Sequence, residues 1–144
     1  MRKQKGTGIV MVDTNLGAVE ARFADIIWQN EPIHSRELAK ICGEELNWKR
    51  PTAYNVLRKL CEKGIFQNNQ GIVSSRISRQ DFYGMQGEQF VEEAFEGSLP
   101  AFVAAFTARK KLTDGEIREL MGIIQREEGK SARERADMAR KEGR

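Results

Sequence analysis

Residues 47–66 read NWKRPTAYNVLRKLCEKGIF, and this stretch decides the fold. Pro51 suits the first turn of a helix, where its missing N–H would have no partner, and it disfavours helical geometry at Arg50. Gly64 suits the position just after a helix end. The apolar residues share one side of this predicted helix: Val56, Leu57, Leu60 and Cys61. The stretch therefore predicts an amphipathic helix over 51–63 with a free polar side.

Two further helices are predicted before it. The apolar residues Leu16, Val19, Phe23, Ile26 and Ile27 recur at helical spacing. We expect Asp13 or Thr14 to cap the start of this first helix, because their side-chain oxygens accept from free backbone N–H groups. A second helix is predicted from Ser35, with Ser35 as its N-cap and an apolar face that ends at Cys42.

Two short strand candidates follow the third helix, at Ile65–Asn68 and Ile72–Ser78, with residues 69–71 as the turn. Three helices followed by a hairpin are typical of a winged helix-turn-helix, which presents its third helix to the major groove of DNA. The predicted fold class is mainly α with a small β-hairpin, the winged helix-turn-helix being followed by a C-terminal helical dimerisation region.

The second half of the chain is helical and rich in phenylalanine, since five of the seven lie between 82 and 106. A segment this short cannot easily bury five phenylalanine side chains by itself, and a symmetric partner would cover them. The alternative is that these side chains complete the core of the monomer. Thr113 and Glu116 form a capping-box pattern that starts a last helix. The predicted dimerisation residues are Phe90, Phe95, Phe102, Phe106, Ile117, Leu120, Met121 and Ile124. The predicted division is a DNA-binding domain at 1–80, a dimerisation region at 81–128 and a charged flexible tail at 129–144.

Charge is distributed unevenly along a chain whose net charge is only +3. Residues 1–78 carry 12 Lys and Arg against 8 Asp and Glu, whereas residues 79–144 carry 12 against 13. A local basic excess around the third helix suits a polyanion. The candidate DNA-binding residues lie on or beside that helix and on the hairpin: Lys49, Arg50, Thr52, Tyr54, Asn55, Arg58, Lys59 and Arg76.

Other function classes find little support in the sequence. A basic helix face is often merely solvated, and winged helices also bind proteins, so a protein-interaction module without specific DNA binding is the alternative. The single histidine, His34, is expected to be a capping or surface residue, and Cys42 and Cys61 to be buried apolar residues rather than a disulfide or metal site. We expect no enzymatic activity, no cofactor and no metal, because the sequence lacks the residue patterns that such sites require. We expect a cytoplasmic location, because no apolar run is long enough for a membrane span.

The sequence resembles the penicillinase and methicillin-resistance repressor family. The resemblance lies in a first helix with Leu16 and Glu20 that ends in Ile27-Trp28, and in a segment typical of the family's recognition helix. That segment comprises Trp48, Thr52, Leu57, Lys59, Leu60, Lys63 and Gly64. The resemblance covers roughly residues 14–128 and is weaker beyond the hairpin.

The resemblance implies a homodimer that binds double-stranded operator DNA with palindromic sequence and represses transcription, with antibiotic-resistance or stress genes as candidate targets. It also implies a membrane sensor protease system that cuts the repressor in its C-terminal helices, at a position corresponding to Ala105-Phe106. In the best-known branch of the family this cut falls at an Asn-Phe bond, and many relatives have Ser-Pro-Lys before the recognition threonine. Here Lys49-Arg50-Pro51 precedes Thr52, so the operator sequence is expected to differ.

Overall fold

A computed structural model describes residues 11–143. In that part of the chain it has six α-helices and one three-stranded antiparallel sheet, which confirms the predicted winged helix followed by a C-terminal helical region. The chain divides into two compact units, one that runs to Gly97 and one that starts at Ser98. We refer to the first as the winged-helix unit and to the second as the C-terminal unit.

Helix α1 spans Ala18–Asn30 and supplies the centre of the first core. Phe23, Ile26 and Ile27 are buried as predicted, but Val19 is exposed because it lies on the first, solvent-facing turn. The predicted caps were wrong. Gly17 is the N-cap, and its N–H donates to Oε1 of Glu20 at 3.1 Å.

The residues expected to cap α1 have other partners. The Oδ1 atom of Asp13 accepts from the N–H of Asn15, and the hydroxyl of Thr14 donates to Oε1 of Gln89 at 3.2 Å. The N–H of Asp13 also donates to the carbonyl of Lys63. The segment before α1 is therefore tied to Lys63 and Gln89, which are distant in sequence.

Strand β1 is only two residues long, Ile33–His34, and leads directly into helix α2 at Ser35–Glu45. The N-cap of α2 is His34 rather than the predicted Ser35, because Nδ1 of His34 accepts from the N–H of Arg36 at 3.1 Å. The capping interpretation of His34 is thereby confirmed. Ser35 is instead buried, and its N–H donates to the carbonyl of Gly71.

Helix α3 spans Arg50–Glu62, with Lys49 as N-cap. The expectation that Pro51 would keep Arg50 outside the helix was wrong. Pro51 occupies the second helical position, where its N–H would also lack an intrahelical partner, and the constraint on the preceding residue disfavours helix without forbidding it. The turn from α2 is completed by Asn47, whose φ of 58° is left-handed and is tolerated by asparagine.

The sheet has strand order β1-β3-β2, with β2 at Phe66–Asn69 and β3 at Ile72–Ser75. Ile33 pairs with Val73, and Phe66 pairs with Ser75. The β2–β3 turn has left-handed φ angles at Gln70 and Gly71, 52° and 93°, as a two-residue hairpin turn requires. The predicted hairpin is present, with β2 shifted by one residue and β3 three residues shorter.

Helix α4, Arg79–Phe95, completes the winged-helix unit because its Phe82 is fully buried in the core. This unit therefore continues past position 80, where the sequence suggested a boundary. The largest fully buried side chains come from every helix of this unit, from β2 and β3, and from the residue before β2: Phe23, Phe66, Phe82, Ile27, Leu38, Leu60, Ile65, Val73 and Cys42.

The C-terminal unit contains α5, Leu99–Arg109, and α6, Asp114–Glu142. Ser98 caps α5, and the predicted capping box of Thr113 and Glu116 starts α6. Helix α6 continues through most of the segment for which the sequence predicted a flexible tail. Among the described residues, no helix combines the length and apolarity that a membrane span requires.

Candidate DNA interface

Helix α3 is fixed in the winged-helix unit by its apolar face. Ala53, Leu57 and Leu60 are buried in the core that α3 shares with α1 and the sheet. Just before α3, the ring of Trp48 stacks on Phe23 of α1, with centroids 5.4 Å apart. A helix buried along one side is held rigidly, which is what presentation of its other side to a groove requires.

The opposite face of α3 is polar and exposed to solvent. The residues that the sequence singled out there share this exposed face: Thr52, Asn55, Arg58 and Lys59. The structure brings these four side chains together along about two turns of one helix. Their chemistry combines amide and hydroxyl groups, which can hydrogen-bond to base edges, with cations that can contact guanine or phosphate.

Two of these side chains interact with each other in the isolated protein. Arg58 donates from Nη1 to Oδ1 of Asn55 at 3.2 Å, and its Nε lies 4.0 Å from Oε2 of Glu62. Both partners are exposed, so these contacts contribute little to stability and can be exchanged for contacts with a ligand.

The start of α3 places further cations at a helix N-terminus. Lys49 and Arg50 are exposed beside the first turn, where backbone N–H groups and the helix dipole favour an anion. Tyr54 differs from its neighbours because it is half-buried and packs against the core. Only the accessible part of the Tyr54 side chain is therefore available for the predicted contact with DNA.

Arg76 lies just beyond β3 and is also exposed. Its N–H donates to the carbonyl of Ile65 at 2.8 Å, which joins the two ends of the hairpin. The predicted interface thus comes from separate elements of the same unit. These are the exposed face of α3 and the base of the β2–β3 hairpin, which we call the wing.

The sequence interpretation missed side chains that hold these elements in place. The carboxylate of Glu31 bonds to Ser75 of β3, and the indole of Trp28 bonds to the carbonyl of Ile77. No local pattern marks Glu31, since its partner lies 44 residues away. Trp28 had a signal in the family-like Ile-Trp pair, but its partner was not predictable.

Cys42 belongs to the core of the winged-helix unit, and Cys61 packs against that core. Cys42 is buried, Cys61 is half-buried, and both are free thiols. Burial raises the pKa of Cys42 to about 11, with a smaller contribution from the nearby Glu45 carboxylate. The pKa of Cys61 is raised for the same reason, assisted by Glu62. Within residues 11–143, no group of three or more metal-ligating side chains is placed to hold an ion.

Comparison with known proteins identifies the family to which this chain belongs. The family model described as the penicillinase repressor matches residues 16–126, which include every described element from α1 to α5 and the first part of α6. The chain belongs to the penicillinase repressor family. This confirms the resemblance seen in the sequence.

Two curated relatives have low sequence identity to this chain but align over most of their own length. The penicillinase repressor of Bacillus licheniformis is 23% identical over 110 residues, which cover 74% of this chain and 86% of that protein. The methicillin resistance regulatory protein MecI of Staphylococcus aureus is 20% identical over 113 residues, which cover 76% and 92%. Membership of the penicillinase repressor family places the chain among DNA-binding transcriptional repressors rather than among enzymes.

Proposed function

We propose that this protein is a sequence-specific repressor that binds a palindromic DNA operator as a homodimer. The observation that carries the proposal is the polar, basic, solvent-exposed face of α3 on a helix whose other face is buried. A single α-helix fits the major groove of B-DNA, so this face is the part of the winged-helix unit suited to read base edges.

The side chains of the interface divide by chemistry into two groups. Thr52 and Asn55 carry hydrogen-bonding groups without charge, and they are assigned to base contacts that determine the preferred sequence. Lys59 and Arg76 are cations whose contacts with phosphate would strengthen binding to all sequences alike. Arg58 can serve either purpose, because its guanidinium pairs with guanine or phosphate.

Dimerisation is proposed to occur through the C-terminal unit. Ile117, Leu120, Met121 and Ile124 recur at helical spacing on α6, and each is between 41% and 55% exposed in the single chain. A second copy of the chain would remove this apolar surface from water. Two winged-helix units related by a two-fold axis would then match the two halves of a palindrome.

The test begins by selecting the preferred duplex from a random pool and measuring its affinity by fluorescence anisotropy at several salt concentrations. We expect Asn55→Ala to reduce the preference for the selected duplex over a scrambled one by about fivefold to a hundredfold, the value of one base contact. We expect Lys59→Ala to weaken binding to both duplexes equally. It should also reduce the slope of log affinity against log salt concentration, the salt slope, by about 1.

Lys111→Ala is the matched control for Lys59→Ala, because Lys111 is an exposed lysine outside the winged-helix unit. Selection of no preferred sequence, together with stable capture of a protein that survives nuclease treatment, would instead favour the protein-interaction module. Equal effects of Lys111→Ala and Lys59→Ala would show that only net charge matters.

The targets and the inducing system follow from the relatives. Their names refer to penicillinase and methicillin resistance, so antibiotic-resistance genes are the first targets to test, with stress genes next. A membrane sensor protease is the proposed partner for release from DNA. Ala105 and Phe106 lie inside α5, so a protease that cuts between them must first unwind that helix.

A further inference from the structure

The base of the wing is held by a carboxylate from the end of α1. Oε1 of Glu31 accepts from the N–H of Ser75 at 2.7 Å, and Oε2 accepts from the Ser75 hydroxyl at 3.0 Å. Glu31 is the C-cap residue of α1 and is half-buried, as is Ser75. Hydrogen bonds to an ionised carboxylate are stronger than neutral ones, especially when partly shielded from water.

A second bond from α1 holds the chain two residues further on. Nε1 of Trp28 donates to the carbonyl of Ile77 at 3.1 Å. The indole ring is itself fixed between β2 and α4, with its centroid 5.2 Å from that of Phe66 and 5.6 Å from that of Phe82. The donor therefore sits on a ring with little freedom to move.

Arg76 lies between the two residues that α1 holds. Its own N–H donates to the carbonyl of Ile65, so the backbone at 75, 76 and 77 is bonded at each residue. The Arg76 side chain, by contrast, is exposed. A long cationic side chain on an immobilised backbone loses less conformational freedom on binding an anion than one on a mobile loop.

We propose that Glu31 and Trp28 are positioning residues that hold Arg76 where it contacts a DNA phosphate. This inference rests on the proposed DNA binding. It adds a role for α1, a helix that contributes no residue to the exposed polar face of α3. The sense of the effect is opposite to simple electrostatics. An acidic residue close to a phosphate-binding arginine should weaken DNA binding by repulsion, so its removal should strengthen binding. If Glu31 holds Arg76 in position, its removal should instead weaken binding.

The test compares two neutral replacements of Glu31. Glu31→Ala removes both acceptors. Glu31→Gln removes the same charge but keeps an acceptor for the Ser75 N–H and an amide donor for the Ser75 hydroxyl. We expect Glu31→Ala to weaken binding to the selected duplex about threefold to tenfold, and Glu31→Gln to bind as tightly as wild type or more tightly.

A double-mutant cycle with Arg76→Ala separates positioning from stability. Arg76→Ala should weaken binding and reduce the salt slope by about 1, and Glu31→Ala should add no further loss in that background. Trp28→Phe keeps a smaller aromatic ring but lacks the donor, and it should show the same non-additivity. It provides the test should Glu31→Ala fail to fold, which thermal unfolding of each variant would reveal.

Three outcomes contradict the proposal. Equal affinities for Glu31→Ala and Glu31→Gln would leave only a charge effect, and losses that simply multiply with Arg76→Ala would place Glu31 and Trp28 outside the wing contact. In both cases wild type still binds its duplex, so the proposed function stands. Failure of wild type to bind any duplex would overturn both proposals together.

Discussion

Two isoleucines of the winged-helix unit differ sharply in how far they are exposed to solvent. Ile27 of α1 is fully buried, whereas Ile72 of β3 is 44% exposed. We expect Ile27→Ala to lower the free energy of unfolding by about 2–5 kcal/mol, since it loses buried surface and leaves a cavity. Ile72→Ala, the matched control, should cost less than about 1 kcal/mol. Urea denaturation monitored by tryptophan fluorescence measures both, and equal losses would contradict the described core.

The thiol of Cys42 should be unreactive while the protein is folded. With its pKa raised to about 11, roughly one thiol in a thousand is ionised at pH 8, against about one in ten for a cysteine with an ordinary pKa of 9.0. We expect iodoacetamide to alkylate Cys42 at least about a hundredfold more slowly in the folded protein than in urea. Mass spectrometry of tryptic peptides measures the rate, and comparable rates in both states would refute the burial.

The same thiol makes stability depend on alkaline pH. Because burial raises the pKa of Cys42, the folded state holds the proton more tightly than the unfolded state does. This contribution to stability is full below pH 9 and is lost as pH rises through about 11. Urea midpoints measured from pH 8 to 11 should fall less steeply for Cys42→Ala than for wild type, and an unchanged slope would contradict this expectation.

At the level of elements, the wing turn should be the least tolerant of added side chains. Gly71 has a φ of 93°, and a Cβ there would lie 2.8 Å from Nε2 of His34, the residue that caps α2. We expect Gly71→Ala to destabilise the protein by about 1–2 kcal/mol through backbone strain and displacement of His34.

Gly84→Ala is the control for this substitution. Gly84 lies in α4, and apart from the adjacent backbone of its own helix no neighbouring atom would lie within 4 Å of the added Cβ, so alanine should stabilise the helix by about 0.5–1 kcal/mol. Thermal unfolding of the two variants should therefore shift the melting temperature in opposite directions. A shift of both in the same direction would contradict the described turn.

The helices were predictable because their apolar residues repeat locally, whereas the sheet was only partly so. The period from Phe23 to Ile27 and the Thr113 capping box located the starts of α1 and α6 within a few residues. Strand β1 was missed because two residues carry no periodicity, and Ile33 becomes a strand residue only by pairing with Val73. Val19 shows the reverse error, since a helical spacing does not reveal which turn of a helix reaches the core.

At the level of the whole molecule, the proposed dimer makes a prediction about two adjacent residues of α6. Ile124 belongs to the apolar stripe with Ile117, whereas Ile123 lies about 100° away around the helix and is similarly exposed. We expect Ile124→Glu to raise the dimer dissociation constant at least about tenfold, because it buries an unpaired charge, and to weaken operator binding.

Ile123→Glu is the matched control and should change dimerisation much less. Sedimentation equilibrium gives the dissociation constants directly. Wild-type protein that is monomeric at all concentrations would overturn the dimer, and equal effects of the two variants would show that the stripe does not form the contact.

The sequence by itself determined the order of helices, the hairpin, the family and the residues exposed on α3, since each of these depends on local spacing or on a short motif. Only the tertiary structure decided what holds those parts together. Glu31 reaches Ser75, Trp28 reaches Ile77, and His34 caps α2 beside the wing turn. The first two contacts join residues more than forty positions apart, and such pairings arise from the packing of elements, which no local pattern encodes.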